Sequence, residues 1–198
     1  MRRLMFWVLS LFATQAFAGE EAFKLKGADG FELSAKLATP GADPVKRVII
    51  LIHGSGAQGM DADLTMVTRD KVKNPVFKDT SDALVKAGFG VLRYNKRSYE
   101  LGLKVKADPS FARSETSKSF KKRSYDLFIS DVKAAIAYVK GRLPKAKIYL
   151  LGQSQGTYIG LQAAHGNPDV AGVALWGFYT SSLATLAYAQ SVYRSMLS

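Results

Sequence analysis

Residues 47–52 read Arg-Val-Ile-Ile-Leu-Ile, and no other stretch restricts the fold of this chain as tightly. Five successive apolar, mostly β-branched residues leave no face for water, so the run suits a strand covered on both sides, as in a parallel sheet layered with helices. Gly90–Tyr94, Ile148–Leu151 and Val170–Trp176 are further short apolar runs. Between them lie stretches with helical periodicity. Phe77–Ala87 places Phe77, Leu84 and Val85 on one side, with Asp79–Asp82 supplying polar residues near its start and Gly88 where a helix end favours glycine. From Phe120 to Leu143, residues Tyr125, Phe128, Ile129, Val132, Ile136, Val139 and Leu143 fall three or four apart, which makes one apolar face, and Pro144 stops the helix. Thr157–Ala164 predicts another helix, closing at Gly166.

Upstream, Phe23–Lys26 and Phe31–Ala38 flank the turn sequence Gly27-Ala28-Asp29-Gly30, which predicts a β-hairpin. A hairpin followed by alternating strands and helices predicts fold class α/β, a mostly parallel sheet with helices on both faces. Ser98–Ser119, rich in Lys and Ser, reads as the least structured stretch, and Ser181–Leu197 reads as a last helix without an evident partner.

The first residues combine Arg2-Arg3, an apolar run from Leu4 to Phe12 and Ala16-Phe17-Ala18. That pattern predicts a secretory signal peptide over residues 1–18, cleaved after Ala18, and a periplasmic or secreted protein. The apolar run is about half of the roughly 20 residues a bilayer-spanning helix needs. Residues 19–198 then form one partial domain, a size that suits a single core. The chain has no cysteine, which excludes disulfides, a thiol nucleophile and thiolate metal sites.

Without Arg2 and Arg3, 26 basic residues stand against 16 acidic ones, a balance that favours anionic surfaces such as an envelope polymer or lipid. Nine of the basic residues lie between Lys96 and Arg123, a segment that reads as a solvated, mobile loop. Export and the lack of a nucleic-acid motif argue against nucleic-acid binding.

Two motifs carry chemistry. Gly152-Gln153-Ser154-Gln155-Gly156 fits G-x-S-x-G and lies between a predicted buried strand and a predicted helix. A serine on so tight a turn needs small flanking residues, which Gly152 and Gly156 provide. The turn would present the Ser154 hydroxyl away from the sheet and direct the Gln155 N–H toward an oxyanion. His53-Gly54-Ser55-Gly56 follows the earlier buried run directly, where a second oxyanion donor, the Ser55 N–H, is expected.

With these motifs about 100 residues apart, the chain from about Phe23 to Trp176 resembles the α/β-hydrolase superfamily, within it the serine-aminopeptidase and esterase-like branch. The resemblance implies Ser154 as nucleophile, Ser55 and Gln155 as backbone donors, and His53 as a support for its loop rather than a catalytic group. Two departures leave substrate preference open. Gln153 stands where many relatives carry His or an aromatic residue, and Asn95-Lys96-Arg97-Ser98 replaces an acid-x-Arg-Gly turn.

Gly54–Gly59 also spells the dinucleotide fingerprint G-x-G-x-x-G. That reading requires a helix to open at once and an acidic residue after the next strand, whereas the next strand ends at Tyr94-Asn95.

In the superfamily the acid and the histidine follow the nucleophile. After Ser154 the sequence offers only Asp169 and His165, and His165 lies at the far end of the same predicted helix, roughly 16 Å away at 1.5 Å per residue. Neither is expected to serve Ser154. The expectation is a fold lacking its C-terminal strands and a chain inactive or nearly so as written. The function expected of the protein is hydrolysis of a carboxylic ester, thioester or small amide on a small-molecule acyl substrate through an acyl-serine, with no metal and no cofactor. An acyltransferase, or a non-catalytic relative binding an anionic envelope component, is the alternative.

Overall fold

Gly27–Gly30 reverses the chain as its composition predicts. Gly27 N–H donates to the Phe31 carbonyl at 2.8 Å, and Gly30 N–H to the Gly27 carbonyl at 2.9 Å. Gly30 sits at φ +80°, a conformation open to glycine at little cost. The turn joins β1 (Gly19–Lys26) to β2 (Glu32–Thr39) in an antiparallel pair running from Lys26↔Glu32 to Gly19↔Thr39. The first strand therefore starts four residues earlier than its apolar pattern indicates. A computed structural model of the chain describes residues 19–41, 44–65, 72–178 and 180. The expected signal peptide of residues 1–18 and the expected last helix at Ser181–Leu197 lie outside the described residues.

The elements that follow are β3 (Arg47–Ile52), α1 (Val76–Lys86), β4 (Gly90–Tyr94), α2 (Arg97–Ala107), a 3₁₀ turn (Pro109–Arg113), α3 (Glu115–Arg142), β5 (Lys147–Gln153), α4 (Gln155–Ala164) and β6 (Val170–Trp176). They build one sheet in the order β1-β2-β4-β3-β5-β6. The β2/β4 pairing is antiparallel, whereas β3/β4, β3/β5 and β5/β6 are parallel.

The apolar run at residues 47–52 shows why helices cover both faces. Val48, Ile50 and Ile52 point into a core shared with Phe128, Val132, Ile136 and Val139 of α3 and Ile159 of α4. The alternate residues Ile49 and Leu51 point the other way, against Phe77 of α1. Each such side chain contributes about 1.5–3 kcal/mol on full burial, so a polar substitution on either face of β3 would remove a large part of a typical domain stability.

One expectation is overturned. Lys96–Arg123 is not a mobile loop, nor is Ser98–Ser119 within it unstructured: the segment forms α2, the 3₁₀ turn and the first turns of α3. Its charges conceal a good helical composition, since Lys, Glu and Leu are all strong helix formers. Leu101 and Glu100 are buried and anchor α2 to the fold. The breaks between the helices are marked by caps. Asp108 accepts the Ser110 N–H at 2.9 Å beside Pro109, and the Ser114 hydroxyl oxygen accepts the Ser117 N–H at 3.2 Å. Of the nine basic residues, Lys96 and Arg97 are buried and the other seven are exposed. The third helix accordingly begins at Glu115 rather than near Phe120, and bends at Arg123, where φ −133° and ψ 31° leave the helical region.

Candidate active site

Adjacent parallel strands bring the two motifs together. Ile52, at the end of β3, pairs with Gly152, near the end of β5, so the loops leaving the two strands start side by side at the carboxyl edge of the sheet. In open parallel sheets this edge is where ligands bind.

Ser154 is the tight turn between β5 and α4, with φ 52° and ψ −117°. This is a conformation that non-glycine residues rarely hold without surrounding support. The support is visible. Ser154 N–H donates to the Trp176 carbonyl of β6 at 2.8 Å, while the Ser154 carbonyl accepts both the Thr157 N–H at 3.0 Å and the Thr157 hydroxyl at 2.6 Å. The two glycines are needed for contact rather than for flexibility. A Cβ on Gly152 would collide with the Gly156 carbonyl, and one on Gly156 with the carbonyls of Ile52 and His53.

The turn after β3 is held from three sides. His53 is buried, its ring stacked on Phe77 at 4.7 Å, with its Nε2 donating to the Tyr94 carbonyl at 2.6 Å. That bond fixes the Nε2–H tautomer and leaves the buried Nδ1 without a partner among the described residues. Burial pulls the imidazole pKa down to about 4, so His53 is neutral at pH 7. The ring ties its loop to the end of β4 through that bond.

Gly54 N–H donates to the Gln153 side-chain oxygen at 3.1 Å, so Gln153 joins the two loops. Gly56, at φ +90°, turns the chain outward. Ser55 is exposed, and no acceptor among the described residues takes its N–H. Gln155 is the first residue of α4, where a backbone N–H has no partner within the helix. Among the described residues the two expected oxyanion donors, the N–H groups of Ser55 and Gln155, are thus given no acceptor.

Three contributors escaped the sequence reading. Lys96 is buried, donates to the Gly54 carbonyl and donates to the Gln155 side-chain oxygen at 2.7 Å. Tyr125 accepts from the Gln155 Nε2 at 3.1 Å. Asn95 accepts the Met60 N–H at 2.7 Å and donates to Glu100 at 2.8 Å, which anchors the loop beyond Gly59. The position of Lys96 and Asn95 directly after a buried strand was the signal that could have marked them.

His165 caps the far end of α4, and Asp169 lies before β6, paired with Lys140 at 3.0 Å. Among the described residues neither hydrogen-bonds Ser154. The rival fingerprint also fails, because no helix opens directly after Gly59. Met60-Asp61 form a turn, and Asp63 bridges to Pro75. Among the described residues no group of His, Asp and Glu could hold a metal ion.

The serine aminopeptidase S33 family matches residues 75–191, more than half of the sequence. The chain belongs to this family. Esterase EstD of Thermotoga maritima is 28% identical over 143 residues, which is 72% of this chain and 30% of that protein. An esterase of Pyrococcus furiosus superposes with a TM-score of 0.54 at 18% identity, covering 79% of this chain and 49% of its own. An α/β serine hydrolase homologue from Coxiella burnetii gives 0.54 at 21%, with 78% and 61% covered. These superpositions establish the α/β-hydrolase fold. The chain spans about a third of the length of the curated relative and half to three-fifths of those structures.

Proposed function

We propose that the protein is an exported serine hydrolase that cleaves carboxylic esters, thioesters or small amides. The observation that carries this is the elbow at Ser154, whose rare backbone conformation is held by Trp176 and Thr157 and made possible by two glycines that tolerate no side chain. Strain kept at a serine on the carboxyl edge of a parallel sheet supports a nucleophile. In the reaction the Ser154 oxygen bonds to the acyl carbon and its proton passes to a base. The carbonyl oxygen becomes negative between the N–H groups of Ser55 and Gln155, and the leaving group departs to give an acyl-serine that water cleaves. If an alcohol takes the acyl group in place of water, the same site is an acyltransferase.

The test uses the protein as its host produces it, treated with a fluorophosphonate probe and mapped by peptide mass. Labelling at Ser154, abolished by Ser154→Ala, is expected. Absence of labelling with several such probes would overturn the reading. Export is checked separately, since the amino-terminal sequence of the host product should begin Gly19-Glu20.

A second reading, a hydrolase-like protein that binds an anionic envelope component, draws on the exposed cations Lys104, Lys106, Arg113, Lys118, Lys121, Lys122 and Arg123. Its signature would be salt-sensitive binding to anionic vesicles that survives Ser154→Ala.

A further inference from the structure

Lys96 is a buried cation without an anion. It is 4% exposed, and no carboxylate among the described residues forms an ion pair with it. Its ammonium lies 4.5 Å from the centre of the Phe128 ring and donates to two neutral oxygens, the Gly54 carbonyl and the Gln155 side chain. A charge in such a place is costly, and Met or Leu would fill the space more cheaply. The neighbouring Arg97 shows the usual solution, with Asp29 at 2.7 Å and Asp131 at 2.5 Å.

The two oxygens that Lys96 holds belong to the two residues that frame the expected oxyanion donors. The Gly54 carbonyl and the Ser55 N–H are parts of one peptide unit, which is trans. In a planar trans peptide the C=O and N–H point in opposite directions. Drawing the Gly54 oxygen inward to a buried ammonium therefore turns the Ser55 N–H outward, and donation to that oxygen polarises the amide so that its N–H becomes a stronger donor. On the other side Lys96 and Tyr125 grip the Gln155 side chain and fix the first residue of α4.

Resting on the assignment of Ser55 and Gln155 as oxyanion donors, we propose that Lys96 is a positioning residue. It aligns the two N–H groups and sets a positive charge behind them, where negative charge grows in the transition state. This work falls to a residue in the turn after β4 that touches neither the nucleophile nor, by this account, the substrate.

The experiment compares the unaltered host-produced protein with Lys96→Met and Lys96→Gln. Fluorophosphonate labelling is followed over a range of probe concentrations, alongside thermal melting. A probe phosphoryl oxygen would take the oxyanion position, so the maximal labelling rate reads alignment while the half-saturating concentration reads binding. For Lys96→Met the maximal rate should fall about 100-fold, the scale of a lost oxyanion donor. The half-saturating concentration should stay within about threefold, because ground-state binding is untouched. Melting should hold or rise, since a buried charge has been removed. Lys96→Gln keeps a donor for the Gly54 carbonyl without the charge and should recover part of the rate.

If folded Lys96→Met is labelled as fast as the unaltered protein, the inference is overturned while the hydrolase reading stands. If both variants fail to fold, Lys96 is a structural strap and the positioning role is likewise overturned. If the unaltered protein is not labelled, the hydrolase reading fails and the inference fails with it.

Discussion

The backbone at Ser154 and the carbonyls around it leave little room for substitution. Gly156→Ala would push a methyl group into the Ile52 carbonyl, a contact with backbone that no rotamer change relieves, and should cost about 3 kcal/mol by thermal denaturation. At Gly166, where φ is +66° and nothing lies near the Cβ position, alanine meets backbone strain alone and should cost about 1 kcal/mol in the same assay. His53 makes a pH prediction. Burial lowers its pKa from 6.5 to about 4, so the unfolded chain binds the extra proton between those values. The stability held by the neutral ring is full above pH 6.5 and disappears as the pH falls toward 4, on the order of 3 kcal/mol in all. His53→Gln keeps a donor for the Tyr94 carbonyl and should flatten that part of the melting-temperature profile. An unchanged slope would place the acid sensitivity elsewhere.

Among the elements, the segment from α2 to the first turns of α3 most separates sequence from structure. The strands were legible because five-residue apolar runs have few alternatives, and the elbow and the His53 turn were legible because glycines mark close approach. The segment from Ser98 to Ser119 was not, because its anchors are polar. Glu100 is buried through the Ser34 N–H and the Asn95 amide, and Arg97 through two aspartates distant in sequence. A periodicity count cannot register a helix held by hydrogen bonds, and Lys96 escaped for the same reason. Arg97 ties the hairpin turn, α2 and α3 together, so Arg97→Ala would leave Asp131, 1% exposed, as an uncompensated buried charge. A loss of about 3–5 kcal/mol in urea unfolding is expected.

At the scale of the molecule, β6 is the edge strand among the described residues, and Leu175, Trp176 and Phe178 are 41–45% exposed there. An edge strand with apolar neighbours is a template for association, so this chain in isolation should self-associate with rising concentration in sedimentation, and Trp176→Lys should weaken it. The pairing that brings Ile52 beside Gly152 also has a consequence in time. The carbonyl that Gly156 packs against belongs to a strand about 100 residues upstream, and the chain between must close that loop before the turn at Ser154 can be held. Parallel contacts of this range form slowly. During refolding, helical circular dichroism should therefore return first and probe reactivity at Ser154 last, which makes that turn a clock for the final docking step of the sheet.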